Sequence, residues 1–179
     1  RDFLERLIAK LELYKPADPL KNDTLLGPQA RPDLVENLLN QVERSLKDGA
    51  ELVWKSSESF DKGHFFLPAI LRNARTGMAC FDEEVFGPVA AVSTFNKTEE
   101  AIFLANQTRY GLGASIYTRD EEQAARMALE IECGTVAVNA MVRSKPSLPF
   151  GGIKASGFGR ELSEHGLFEF SNTKTVTIG

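Results

Sequence analysis

With 179 residues, 42% of them hydrophobic, the chain carries enough apolar material to bury a core of its own. Lysine and arginine number 21 against 25 acidic residues, a net charge of −4 spread without any basic stripe, which argues against nucleic acid or an anionic membrane surface as a partner. The longest apolar runs, such as Phe65 to Leu71 and Val89 to Val92, are too short to cross a bilayer, and Cys80 and Cys133 form no CxxC pair, so a soluble protein of a reducing, cytoplasmic compartment is expected.

The chain opens on Arg1-Asp2-Phe3-Leu4, without a methionine and already inside a helical pattern; loss of an upstream portion and ordinary processing of a terminus explain this equally well. Phe3, Leu4, Leu7, Ile8 and Leu11 line one face of a helix running from Asp2 to Tyr14, which Lys15-Pro16 ends. A second helix is expected from Pro32 to about Asp48, with Leu34, Leu38, Leu39, Val42 and Leu46 facing inward and Gly49 as its stop. Ala50 to Lys55 reads as a strand. Phe65 to Leu71 reads as an extended segment in which Pro68 removes one ladder donor. From Val89 onward strands and helices alternate: a strand to Phe95, a helix from Thr98 to Gln107 with Thr98 as its N-cap, and a strand from Ala114 to Tyr117. A helix from Asp120 or Glu121 to Ile131 and a β-branched strand from Thr135 to Asn139 repeat the pattern, which predicts an α/β fold with a mostly parallel twisted sheet and flanking helices. A glycine-rich loop (Phe150 to Gly159), a short helix near Leu162 to Glu169 and a final strand from Lys174 to Ile178 complete the chain.

Two segments are distinctive: Glu83-Glu84-Val85-Phe86-Gly87-Pro88-Val89, and Leu148-Pro149-Phe150-Gly151-Gly152-Ile153-Lys154-Ala155-Ser156-Gly157-Phe158-Gly159-Arg160-Glu161-Leu162. In this order, with the βα array between them, they closely resemble the C-terminal, catalytic-domain portion of the aldehyde dehydrogenase superfamily. The resemblance covers essentially the whole chain. It implies a catalytic domain over 1–170, truncated at its N-terminus, and an oligomerisation strand over 171–179 that would help build a homo-oligomer, dimer or tetramer. It also implies NAD or NADP as cofactor and a small aldehyde as substrate.

In that family the first motif crosses the mouth of the cofactor site. Carried over, the Glu84 carboxylate would accept hydrogen bonds from the nicotinamide ribose hydroxyls, and Phe86 would hold the nicotinamide against the reacting carbon. The plainer alternative makes Glu84 a solvated turn acid and Phe86 a core anchor beside a Gly-Pro turn. In the second motif Phe150 would line the substrate tunnel, and Gly151 and Gly152 would allow close backbone approach. The run Gly157-Phe158-Gly159-Arg160 is no phosphate-binding fingerprint, because no GxGxxG follows a strand and opens a helix. Arg160 and Glu161 are expected to hold the loop through ion pairs, and Lys154 to be a loop or surface cation. The stretch from Arg143 through Gly152 most resembles bacterial succinate-semialdehyde dehydrogenases. Arg143 and Ser144 could then receive an ω-carboxylate, or be ordinary loop residues.

The family's reaction runs through a cysteine thiolate, a thiohemiacetal that passes hydride to NAD(P)+, and a thioester hydrolysed with the help of a glutamate. Cys80 precedes Asp82, Glu83 and Glu84, and Cys133 sits beside Glu132 at a helix C-terminus; both settings disfavour a thiolate, so neither is expected to be the nucleophile. In relatives the nucleophile, the general base and the dinucleotide-binding domain lie upstream of the position occupied here by Arg1. No catalytic residue is therefore assigned, and the chain alone is expected to be inactive. His64 and His165 have no partners at metal-ligand spacing, and no metal site is expected. The competing reading is a non-enzymatic βα assembly module, or a degenerate half of such an enzyme.

Overall fold

The amphipathic stripe after Arg1 forms helix α1, Asp2–Leu11, in a computed structural model that describes residues 2–179. The chain divides into two compact units, one ending at Thr94 and the other running from Phe95 to Gly179.

In the first unit, α2 spans Pro32–Lys47, with proline in its first turn where a missing N–H costs nothing. Gly49, at φ +104°, turns the chain in the left-handed conformation that glycine tolerates. Strands β1 (Glu51–Lys55), β2 (Ala69–Arg72) and β3 (Val89–Val92) form a sheet in that order, with the short helix α3 (Ala79–Asp82) between β2 and β3. β1 and β2 are antiparallel, with an irregularity between Leu52 and Trp54; β2 and β3 are parallel, Ala69 opposite Val89. The expected strand from Phe65 starts only at Ala69, because Pro68 has no N–H to give, although its carbonyl accepts from Ser56 N at 2.8 Å.

Ala50, Leu71, Ala74, Met78 and Cys80 form the core here, packed by Val42, Leu46 and Val85 among others. The inner face of α2 departs from expectation at Leu39, which is 52% exposed. Gln41 and Ser45 are buried instead. Ser45 Oγ repays its burial by donating to Gln41 O at 2.7 Å and accepting from Cys80 N at 2.9 Å.

In the second unit, β5 (Gly113–Ile116), α5 (Glu121–Glu130) and β6 (Thr135–Val138) make a parallel βαβ unit, with Gly113 opposite Thr135. Asp120 caps α5, its carboxylate accepting from Gln123 N at 2.8 Å. Helix α4, Thr98–Asn106, is preceded by Lys97 at the N-cap and has no side-chain cap; Thr98 lies inside the helix and its Oγ1 accepts from Gln123 Nε2. Two two-residue strands that hydrophobic periodicity is too coarse to detect, β4 (Tyr110–Gly111) and β7 (Ile153–Lys154), pair antiparallel. Helix α6 spans Ser163–Glu169.

The architecture is α/β, with one mixed sheet, one parallel pair and one antiparallel pair, and with flanking helices. Residues 171–179 hold no helix or strand. The β-branched run from Lys174 to Ile178 has no ladder partner among the described residues, and a strand exists only by pairing. No described helix is long and apolar enough to cross a membrane.

Candidate functional site

The Glu83–Val89 motif links α3 to β3, and α2 anchors it from beneath. Gln41, 3% exposed, donates from Nε2 to Glu83 Oε2 at 3.0 Å and to the carbonyl of Glu84 at 3.1 Å. One turn further along α2, Arg44 grips the Glu83 carboxylate with both Nη atoms, each at 2.7 Å. This hydrogen bonding raises the Arg44 guanidinium above its ordinary pKa. Leu38 packs on Gly87 so closely that a Cβ there would lie 2.4 Å from Leu38 Cδ1. The two adjacent acids therefore differ completely. Glu83 is tied to α2, whereas Glu84 is exposed and its carboxylate makes no hydrogen bond or ion pair among the described residues. Phe86 is 67% exposed, so it is not a core anchor in its unit.

The glycine-rich loop belongs to the second unit. Phe150 and Glu161 close its base by exchanging backbone hydrogen bonds of 2.9 and 2.8 Å. Gly134 and Gly151 touch backbone to backbone; a Cβ at Gly134 would fall 1.8 Å from Gly151 O. Arg160 holds the loop, but through carbonyls and not through ion pairs: Nη1 donates to Gly152 O at 2.9 Å and to Gly159 O at 2.6 Å. Glu161 contributes its backbone to the bridge with Phe150. Lys154 is more than a surface cation, since its Nζ pairs with Glu132 and donates to Asn106 O at 3.0 Å. Sequence spacing could not show this, because the partners lie 22 and 48 residues away and the tie depends on β4 meeting β7. Phe150, Leu112, Phe158, Arg160 and Phe170 line an open cleft of about 340 Å³ in this unit.

Arg143 and Ser144 lie on the exposed stretch that follows β6, six residues or more before Phe150. They are not among the residues lining the Phe150 cleft. Cys80 is buried in the first unit's core, and Cys133 directs its thiol at Thr135 O, 3.2 Å away. His165 sits in α6 beside Ser163. No group of three metal-ligating side chains occurs among the described residues.

Residues 1–176 match the aldehyde dehydrogenase family. The succinate semialdehyde dehydrogenase [NAD(P)+] of Escherichia coli K12 is 44% identical over 97% of the chain and 38% of its own length. The succinate-semialdehyde dehydrogenase [NADP(+)] 1 of Mycobacterium tuberculosis is 40% identical over 99% of the chain and 39% of its own. The crystal structure of succinic semialdehyde dehydrogenase from Streptococcus pyogenes with NADP+ superposes with a TM-score of 0.91 at 37% identity, covering 99% of this chain and 39% of that one. Betaine aldehyde dehydrogenase from Staphylococcus aureus with NAD+ gives 0.89 at 33% identity, over 94% and 34% of the two chains. The chain thus spans less than two-fifths of the length of these relatives.

Proposed function

The chain belongs to the aldehyde dehydrogenase family, and from that membership we propose that it is the portion of an NAD(P)-dependent enzyme that supplies a cofactor contact and a substrate wall for oxidising succinate semialdehyde to its acid. The observation that carries this reading is the division between Glu83 and Glu84. A motif made only to turn the chain would have no use for two different acids, one braced on both oxygens and one exposed beside an exposed aromatic ring. The residues fit a nicotinamide nucleotide: an unpaired carboxylate accepts from vicinal ribose hydroxyls, and Phe86 offers a flat apolar face to the ring. When bound, the cofactor accepts the hydride. Glu84 holds the ribose, Phe86 backs the nicotinamide, and Phe150 lines the path of the aldehyde.

Arg143 and Ser144 receive the distal carboxylate of the substrate in this reading, which the names of the relatives favour. Neither cysteine of the chain is the nucleophile: Cys80 is packed in the core and Cys133 is spent on a carbonyl. The chain by itself therefore forms no NAD(P)H from aldehyde. Residues 1–170 act as catalytic-domain structure, and 171–179, exposed throughout, pair with another copy in a homo-oligomer of the cytoplasm.

The test uses the polypeptide at the length of its relatives. Arg143→Ala should raise KM for succinate semialdehyde about tenfold or more, the order expected for losing a charge-assisted hydrogen bond, while KM for an uncharged aldehyde stays within about twofold. Equal effects on both aldehydes would remove Arg143 from the site. Absence of any aldehyde-dependent reduction of NAD(P)+ by the unsubstituted polypeptide would sink the whole reading.

A further inference from the structure

We propose that Gln41 is a positioning residue for the cofactor contact: its buried carboxamide sets the direction in which Glu84 leaves the backbone. The inference rests on the role given to Glu84 above. Gln41 has two amide hydrogens, and they go to two consecutive residues, one to the Glu83 carboxylate and one to the Glu84 carbonyl. Holding the Glu84 carbonyl fixes the peptide plane that Glu84 shares with Val85, and holding the Glu83 carboxylate restrains the residue before it, so the backbone on both sides of the Glu84 side chain is constrained. Arg44 completes the brace by donating to both oxygens of the same Glu83 carboxylate, sharing Oε2 with Gln41.

The cost of this arrangement marks it as purposeful. Gln41 lies on the inner face of α2, and its Oε1 is buried with no hydrogen-bond partner. An unmatched buried acceptor is destabilising, so the donors on the same carboxamide must repay it. Neither donor stabilises α2 itself; both act on the segment before Phe86.

Three variants test this, read in two ways. In the polypeptide at the length of its relatives, Gln41→Met keeps the shape and removes the donors, and should raise KM for NAD(P)+ about tenfold while KM for aldehyde changes less than about twofold. Gln41→Glu places a second carboxylate beside Glu83; its cofactor KM should be high at neutral pH and fall back as the pH drops, because the protonated carboxyl regains an O–H donor. Glu43→Gln, on the outer face of α2, should leave both constants unchanged. A purely structural Gln41 would instead lower kcat through loss of folded enzyme and leave both KM values alone, and that result overturns the proposal.

The second reading needs no turnover. In the 179-residue chain, Gln41→Met should speed amide hydrogen exchange at Val85, Phe86 and Gly87 about tenfold relative to the β2 amides. Equal exchange in the two proteins also overturns the proposal. If the longer polypeptide proves inactive on aldehydes, the exchange measurement still decides the brace while the functional reading fails alone.

Discussion

The two units hold themselves together by different means. Among the described residues, ten of the twelve buried apolar side chains lie in the unit that ends at Thr94, concentrated on β2 and the helices beside it, and two, Ile116 and Ala124, lie in the other. Large apolar side chains from Phe103 and Leu129 to Phe168 and Phe170 are exposed in the second unit. That unit relies on backbone contact at Gly134 and Gly151, on the paired strands β4–β7 and β5–β6, and on polar ties such as those of Lys154 and Arg160. A side-chain core confers stability whatever surrounds it, whereas backbone ties confer shape. The motif loop that carries Glu84 is anchored on a core, and the loop that carries Phe150 is held mainly by backbone and polar contacts.

The comparison predicts where substitution hurts most. Leu71, on β2, has no solvent exposure, and Leu71→Ala should destabilise the first unit by about 3 kcal/mol, from lost transfer energy and the cavity left behind. Urea unfolding followed by the fluorescence of Trp54, the chain's one tryptophan, reads that unit directly. A loss below about 1 kcal/mol would deny it a rigid core. In the second unit the sensitive position is a glycine. Gly134→Ala would bring a methyl group within 1.8 Å of Gly151 O, which is backbone and cannot rotate aside, so a cost on the order of 2 kcal/mol is expected. Unfolding followed through the β5 and β6 amide resonances checks it. An unchanged midpoint would show that backbone contact does not hold this unit.

Much of the fold was legible because local chemistry marks it. Pro32 and Gly49 bracket α2 by what they can and cannot do with φ, and α5 starts at Glu121, one of the two starts expected for it. Where local rules competed, sequence reading was weaker. Thr98 has the chemistry of a cap, but Lys97 occupies the N-cap and Thr98 serves Gln123 instead. The two motifs stand out in the sequence because their glycines and acids have no periodic structural role. What anchors those loops was not legible, because Gln41 meets Glu83 across 42 residues and a glutamine within an amphipathic pattern reads as its polar face. The expected terminal strand is a different case: its β-branched composition is local, but residues 171–179 form no strand in the described chain, because a strand needs a neighbour to pair with.

The smallest predicted effect gives the comparison its finest test. Leu129 is 90% exposed, while Ala124 on the same helix is fully buried. Five residues along a helix turn the side chain by about 140°, so burial of Ala124 against the sheet commits Leu129 to the outer face of α5. Leu129→Gln should therefore change the stability of the second unit by no more than about 0.5 kcal/mol, as for a surface substitution without partners. Self-association should fall, because one exposed apolar group is removed from a unit that exposes several. Measuring the unfolding midpoint at several protein concentrations separates the two effects. A loss above about 1 kcal/mol at every concentration would mean that Leu129 packs within the chain and that the second unit has more core than its structure displays. A loss that grows with concentration would mean that the apolar surface is buried between copies, and that the weak interior of this unit is completed by contact with its neighbours.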